Sequence, residues 1–156
     1  MIEVIFLDMD NTIAENTTPM NVTFIPGMYL GKRPIKQVLQ ALDTLYPDTP
    51  RVIVSKVQGG AQGIKEKKEW LQTKEVKNII DYIFLKEDEQ YWMKGVYIDQ
   101  WLSHRQINNS KCLVIDDNKQ VLQYCQAYGL LVQYPQQVLC DLTTYNEEFI
   151  ERSRRR

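Results

Sequence analysis

The sequence predicts an α/β protein in which a parallel sheet carries helices on both faces, an arrangement of three layers. Short apolar runs rich in β-branched residues alternate along the chain with longer segments of helical period, and that alternation is typical of parallel sheets. The runs are apolar throughout, which indicates strands covered on both faces. The 156 residues fit one domain with a substantial core. We therefore predict a single domain over residues 1–156, without a linker or an internal repeat.

Five apolar runs mark the strands, and they cover residues 4–7, 51–54, 82–85, 112–115 and 130–132. Helices are predicted between and after them, over residues 33–46, 60–73, 95–104 and 119–128 and from near Tyr145 onwards. Pro34 favours the start of the first helix, and Gly129 favours the end of the fourth. Strands and helices that alternate in this way are joined by right-handed crossovers, so we predict a Rossmann-like sheet.

Residues 13–32 lie outside this pattern, because they contain Asn, Thr, Pro and Gly and show no clear period. A loop of that length inside a compact domain is usually functional. We predict an irregular loop or minimal cap with a short strand at residues 22–25. Two basic clusters, Lys65 to Lys68 and the tail at residues 152–156, are interpreted as a solvated helix face and a solvated chain end.

The composition argues against several classes of protein. The net charge is −1, whereas a general nucleic-acid binder carries a large positive excess. The longest apolar runs are too short to span a bilayer, and acidic residues interrupt the apolar N-terminal stretch, unlike in a signal peptide. Three cysteines without a C-x-x-C pair indicate reduced, buried thiols and argue against zinc. We therefore expect a cytoplasmic protein with no membrane partner.

Polar residues follow three of the predicted strands. Asp8-Met9-Asp10-Asn11-Thr12 comes after the first strand, Ser55-Lys56 after the second and Asp116-Asp117-Asn118 after the fourth. Ligands of open parallel sheets bind outside the carboxyl ends of the strands. If these strands are neighbours, four carboxylates, a hydroxyl and an ammonium group meet in one small volume.

Carboxylates gathered in this way repel one another unless a counter-ion is present. Oxygen ligands suit Mg²⁺ better than zinc, and the chain has a single histidine. A metal beside carboxylates suits phosphate chemistry, because it shields the charge of the phosphoryl group. Asp8 can attack that group, and Asp10 can protonate the leaving oxygen and then activate water. Ser55 and a lysine would hold the phosphoryl oxygens.

The order of these motifs resembles that of the haloacid dehalogenase (HAD) superfamily. The pattern hhhh-D-x-D-x-T reads V-I-F-L-D-M-D-N-T in this chain, followed by V-I-V-S-K, a lysine and L-V-I-D-D-N. The resemblance extends from Ile2 to Tyr134 and implies a HAD-like phosphatase that works through an aspartyl-phosphate. The catalytic residues that it implies are Asp8 as nucleophile, Asp10 as acid and base, and Ser55 and Lys94 as phosphoryl ligands.

The same resemblance implies a magnesium site. The metal-binding residues that it implies are Asp8, Asp10 through its backbone carbonyl, Asp116, and Asp117 as a ligand or a partner of one. The residues expected to bind substrate are Asn11, Thr12, Ser55, Lys56 and Lys94. The motif lysine has two competitors, Lys86 and Lys111. A phosphoacceptor receiver domain fits poorly, because its phosphorylated Asp follows the third strand, where this chain has Lys86-Glu87-Asp88.

Superfamily members usually select substrates with a cap domain, and neither insertion point of this chain has room for one. The resemblance therefore implies a capless or minimally capped member with an open site, or one that a partner subunit closes in a homo-oligomer. Lys67-Lys68-Glu69-Trp70-Leu71 weakly resembles the 5′-nucleotidase-like branch, which favours a nucleotide or nucleic-acid-end phosphate as substrate. The alternatives are a phosphatase of phosphoproteins or sugar phosphates and a catalytically silent binding or regulatory module.

Overall fold

The computed structural model describes residues 1–17 and 22–156. Within these residues the strands are β1 (Val4–Leu7), β2 (Arg51–Lys56), β3 (Ile79–Leu85), β4 (Cys112–Ile115) and β5 (Leu131–Gln133). The α-helices are α1 (Lys36–Leu45), α2 (Gly60–Thr73), α3 (Met93–Arg105), α4 (Lys119–Ala127) and α5 (Pro135–Arg154).

The described strands form one parallel sheet in the order β3-β2-β1-β4-β5. The chain builds outward from β1 to β3 and then crosses to β4 on the other side, so the strand order reverses between β1 and β4. Leu7 pairs with Ile53 on one side and with Ile115 on the other. The three central strands therefore end close together, at the edge where open α/β sheets bind their ligands.

Successive residues of the central strands point to opposite faces, and both faces are covered. Val4 and Phe6 pack with the buried residues of α3 and α4. Ile5 and Leu7 pack with those of α1, α2 and α5. The predicted three-layer parallel α/β fold is therefore confirmed, and its apolar strands are the cause, since each contributes side chains to both cores.

Three sequence predictions on the elements are wrong. The last helix begins at Pro135, not near Tyr145, because proline suits the first helical turn and the Tyr134 N–H donates to the side chain of Gln137 at 2.7 Å. Residues 22–25, which the structure describes, form no strand. Cys140 is exposed, whereas the other two cysteines are buried.

The helices in the described part of the chain lack the combination of length and apolar character that a membrane crossing requires. The basic tail at residues 152–156 is exposed, as predicted.

Candidate active site

Asp8 leaves β1 at the centre of the sheet, and the following turn fixes its carboxylate. Its N–H donates to the carbonyl of Ile115 at 3.0 Å, which continues the parallel pairing one residue past the strand. The turn closes on the carbonyl of Met9, which accepts the N–H of Thr12 at 3.1 Å. Asn11 has a φ of 60°, a left-handed conformation that asparagine tolerates. The buried hydroxyl of Thr12 then donates to Asp8 Oδ2 at 2.9 Å.

Lys94 joins the two central aspartates. It lies in the first turn of α3, is only 2% exposed, and donates to Asp8 Oδ1 and to Asp116 Oδ2 at 2.8 Å each. Burial lowers the pKa of Lys94, but the charges of Asp8 and Asp116 outweigh burial and raise it above its usual range. Of the two other candidates for the motif lysine, Lys86 is exposed. Lys111 pairs at 3.5 Å with Glu3, which precedes β1.

Asp8, Asp116 and Asp117 form an acidic cluster, in which one carboxylate oxygen of each lies within 4.8 Å of the others. Asp116 is held by the N–H of Asn118, which donates to Oδ1 at 2.9 Å. Burial and then the charge of Asp8 raise the pKa of Asp116 to about 6. Asp117 is exposed at the mouth, which is the solvent-facing side of the site. Partial desolvation and then the charge of Asp8 nevertheless raise its pKa to about 7. Oxygen donors that repel one another so strongly fit a hard cation such as Mg²⁺.

Ser55 comes from the end of β2 and is 1% exposed. Its hydroxyl accepts a hydrogen bond at 2.6 Å from the ammonium group of Lys67, in the second turn of α2. The same group donates to the carbonyl of Lys56 at 2.8 Å. Burial lowers the pKa of Lys67, although Asp10 partly opposes this effect. A hydroxyl and an ammonium group in contact provide two donors for an anionic ligand.

Asp10 lies between two ammonium groups. Lys32 donates to its Oδ1 at 2.7 Å, and Lys67 donates to its Oδ2 at 3.3 Å. Burial raises the pKa of Asp10, but the charges of Lys67 and Lys32 outweigh that effect and hold the pKa below its ordinary value of 3.8. The carboxylate of Asp10 therefore faces the lysines, and its side chain is not part of the acidic cluster.

Sequence reasoning missed Lys67, because the cluster from Lys65 to Lys68 was interpreted as a solvated helix face. That interpretation is wrong for Lys67, which is 1% exposed, and right for Lys65 and Lys68, which are exposed. The signal was its spacing, because Lys67 precedes Trp70 and Leu71 by three and four residues on the apolar stripe of the helix. A charged residue on an inward stripe indicates a buried partner.

The loop before α1 contributes Tyr29 and Lys32 to the site, and α2 fastens it. Buried Glu66 accepts the N–H of Gly27 at 2.9 Å and that of Tyr29 at 3.3 Å. The indole of Trp70 donates to the carbonyl of Lys32 at 2.8 Å. The part of this loop at residues 22–32 is thus held against the helix that positions Lys67. Four of the residues in the predicted cap, 18–21, lie outside the described residues.

The remaining predicted substrate-binding residues differ in burial. Asn11 is exposed, and its side-chain oxygen accepts the N–H of Asn16 at 3.3 Å. The ammonium group of Lys56 lies 4.6 Å from the centre of the Tyr91 ring. Thr12 is fully buried, and its side chain contacts Asp8.

No protein-family model matches the sequence. A comparison with curated protein sequences likewise gives no match. Solved structures do match. D,D-heptose 1,7-bisphosphate phosphatase from B. bronchiseptica, complexed with magnesium and phosphate, is 12% identical with a TM-score of 0.66, over 97% of this chain and 99% of that one.

The chain has the haloacid dehalogenase-like fold. A haloacid dehalogenase-like family protein from Streptococcus pneumoniae, 13% identical, has a TM-score of 0.59 over 90% of each chain. The heptose bisphosphate phosphatase from Burkholderia thailandensis, 16% identical, has a TM-score of 0.54 over 82% of this chain and 74% of that one. At these identities the likeness establishes the fold, and activity must be argued from the site.

Proposed function

We propose that the protein is a Mg²⁺-dependent phosphomonoester hydrolase that works through an aspartyl-phosphate on Asp8. The observation that carries the proposal is the bridge of Lys94 between Asp8 and Asp116. It sets a carboxylate nucleophile beside a buried cation and a second carboxylate at the end of the central strands. The similar phosphatase from B. bronchiseptica, which holds magnesium and phosphate, supports this chemistry on this fold.

The chain's own residues can carry both half-reactions. A carboxylate oxygen of Asp8 forms a bond to phosphorus while the bond from phosphorus to the leaving oxygen breaks. The electron pair goes to the leaving oxygen, which takes a proton from Asp10. In the second step Asp10 accepts a proton from water as that water attacks the phosphorus. Asp8 then leaves as a carboxylate, held again by Lys94 and Thr12.

The donors of the site balance the phosphoryl charge. Ser55 and Lys67 already contact each other at 2.6 Å and offer an O–H and an N–H, while Lys94 supplies a permanent positive charge. The cluster of Asp8, Asp116 and Asp117 would hold Mg²⁺ with the backbone carbonyl of Asp10. The metal would supply shielding of the negative charge as the carboxylate and the phosphate approach.

The substrate that we propose is a nucleotide or a nucleic-acid-end phosphate. The support is the exposure of Asp117 and Asn11 at the mouth, which leaves the site accessible to a bulky leaving group. The 5′-nucleotidase-like resemblance around Lys67 stays a prediction, because the solved structures named above are not of that branch. Phosphoproteins and sugar phosphates are the competing substrates.

Hydrolysis of p-nitrophenyl phosphate with and without Mg²⁺ tests the proposal. We expect turnover that requires Mg²⁺ and that Asp8→Asn abolishes. Asp48→Asn serves as the matched control, because Asp48 is exposed in the turn before β2, outside the acidic cluster. Turnover that persists in Asp8→Asn would exclude the nucleophile. Inactivity of the wild type over a broad panel of phosphate esters would favour a binding or regulatory module.

A further inference from the structure

Two tyrosine rings lie close to lysines of the site, and they differ in exposure. Tyr29 is 5% exposed, its hydroxyl accepts the N–H of Gln58 at 2.8 Å, and Lys67 Nζ lies 4.7 Å from its ring centre. Tyr91 is 47% exposed. Its ring centre is 4.6 Å from Lys56 Nζ and 5.9 Å from Lys94 Nζ.

The backbone fixes Tyr91 at this place. Its carbonyl accepts the N–H of Lys94 at 3.1 Å, so the same turn positions the catalytic lysine and the tyrosine. The next residue, Trp92, stacks on Tyr124 with ring centres 5.5 Å apart, which anchors the start of α3 against α4. Adjacent aromatic residues therefore have different surroundings. Trp92 packs between helices, whereas Tyr91 remains exposed beside the lysines of the site.

The site's charges also act on Tyr91. Burial of part of the side chain raises the pKa of its hydroxyl; Lys94 opposes this, and the charges of Asp10 and Asp8 add to it. Because the ring centre lies 4.6 Å from Lys56 Nζ and 5.9 Å from Lys94 Nζ, the ring is close enough to contact the leaving group of a phosphate that these lysines hold. Aromatic rings bind other planar rings by offset stacking, and they offer little to a hydrated sugar.

We propose that Tyr91 selects phosphate esters whose leaving group carries a planar aromatic ring. The inference rests on the proposed hydrolase function and narrows its substrate class. Lys56, Lys94 and Lys67 would hold the anionic phosphate while the exposed half of the Tyr91 ring stacks on the planar group. That group is either attached close to the phosphate, as in an aryl or benzyl ester, or lies one sugar away, as in a nucleotide.

Two matched pairs of substrates test the selection. Adenosine 5′-monophosphate and ribose 5-phosphate release the same type of primary alcohol and differ in the base. Benzyl phosphate and cyclohexylmethyl phosphate differ in planarity and have similar leaving alcohols. Each is assayed with wild type, Tyr91→Leu and Tyr91→Phe. Tyr145→Leu is the control, because Tyr145 is exposed to a similar extent, 45%, on α5.

Stacking of a base on an aromatic side chain contributes about tenfold to affinity. In at least one pair we expect Tyr91→Leu to lower kcat/KM about tenfold more for the planar member, mostly through KM. Tyr91→Phe and Tyr145→Leu should keep the wild-type ratio within each pair. The pair whose kcat/KM ratio changes shows whether the planar ring of the substrate lies next to the phosphate or one sugar away. Equal losses within both pairs, or no loss, would overturn the proposal.

Equilibrium affinity separates this proposal from the hydrolase itself. The dissociation constants of adenosine 5′-monophosphate and ribose 5-phosphate are measured in Asp8→Asn, with and without Tyr91→Leu. Benzyl and cyclohexylmethyl phosphate are treated in the same way. If the planar member of a pair binds more tightly and Tyr91→Leu removes that difference, stacking is supported even if the wild type hydrolyses nothing. Equal affinities of Asp8→Asn for the two members of both pairs, together with hydrolysis of these esters by the wild type, would reject stacking and leave the hydrolase function intact.

Discussion

The carboxylate of Asp10 carries an electrostatic conflict. The general acid that we propose must hold a proton, yet Lys67 and Lys32 keep the pKa of Asp10 low despite its burial. Phosphoryl oxygens compete with the carboxylate of Asp10 as hydrogen-bond acceptors for the ammonium group of Lys67, which already contacts Ser55. If a bound phosphate draws the ammonium group of Lys67 away, Asp10 loses one of two cations and its pKa rises. The substrate itself would then help to protonate the acid.

Replacement of Lys67 tests this coupling. In Lys67→Met we expect kcat to fall about 100-fold, because a donor to the phosphoryl group is removed. The limb of the pH–rate profile that reports Asp10 should move to higher pH, since a lost positive charge raises the pKa of a carboxylate. Steady-state kinetics from pH 4 to pH 9 provide the measurement.

Lys68→Met is the matched control for that substitution. Lys68 is the exposed neighbour of Lys67, and its ammonium group lies over the ring of Tyr82, 4.7 Å from the ring centre. The Lys68→Met variant should keep wild-type kinetics. Equal activity of the Lys67→Met protein and the wild type would contradict the role given to Lys67.

At the residue level, the sequence predicts which polar residues meet but not every partner. Asp8, Ser55 and Asp116 are predictable because each follows an apolar strand, and parallel strands end at one edge. Lys67 and Lys32 reach Asp10 from a helix face and from an irregular loop. The spacing of Lys67 on its helix indicates that it is buried, but its contact with Asp10, like that of Lys32, depends on how these segments pack. The catalytic roles of all these residues stay predictions.

Among the elements, the loop at residues 22–32 depends on α2 for its position. The carboxylate of Glu66 accepts N–H groups of Gly27 and Tyr29, and Gln62 donates to it at 3.1 Å. Burial raises the pKa of Glu66, but these donors outweigh burial and hold the pKa below 4.5. A carboxylate with a lowered folded pKa stabilises the loop above pH 4.5, and this contribution is lost as the pH falls through the lower folded value.

Substitution of Glu66 should therefore release the loop. We expect Glu66→Gln to lose about 1–3 kcal/mol of local stability, because an amide accepts fewer hydrogen bonds and has no charge. Limited proteolysis should then cut within residues 22–32 faster than in the wild type. Glu69→Gln, on the exposed face of the same helix, should show no change. Equal cleavage rates in both variants would exclude Glu66 as the anchor.

The start of α2 is a second point at which an element controls the site. A Cβ added to Gly63 would lie 1.8 Å from the carbonyl oxygen of Gln58, a backbone atom that cannot move independently. Gly63→Ala should reduce the free energy of unfolding by about 1–3 kcal/mol and should lower activity, because the turn that carries Lys67 shifts. Gly31→Ala, where a Cβ meets no atom within 4 Å, should be neutral in chemical denaturation.

The start of α5 was predicted too late along the chain. Val138, Leu139 and Leu142 follow β5 at helical spacing and pack into the core, and the Gln137 side chain that accepts the Tyr134 N–H sets the first turn at Pro135. The core strands were found because their apolar runs are continuous.

For the whole molecule, the acidic cluster should link pH, metal and stability. The pKa values of Asp116 and Asp117 lie at about 6 and about 7, above the ordinary value of 3.8. Between pH 3.8 and about 7 the folded state therefore binds more protons than the unfolded state. The metal-free protein should become less stable as the pH rises through this range. A bound cation reverses the effect, because it favours the ionised carboxylates.

Thermal unfolding with and without Mg²⁺ measures this linkage. We expect Mg²⁺ to raise the midpoint at pH 8 and to raise it less at pH 5, where protons compete for the same oxygens. Asp117→Asn should weaken the response at pH 8 and stabilise the metal-free protein. Asp48→Asn should behave as the wild type. A midpoint that does not depend on Mg²⁺ at pH 8 would contradict the metal site.

The fold as a whole is predictable because an alternating pattern of strands and helices allows few topologies. Asp8 is the residue on which the proposed function depends, and trapping the covalent intermediate tests its role most directly. The protein is mixed with Mg²⁺ and a phosphate ester that it hydrolyses, and the reaction is quenched in acid within one turnover. The protein is then digested and analysed by mass spectrometry. We predict a phosphoryl group on the peptide that contains Asp8, absent from Asp8→Asn. Turnover without any phosphorylated Asp8 under these conditions would contradict the central claim.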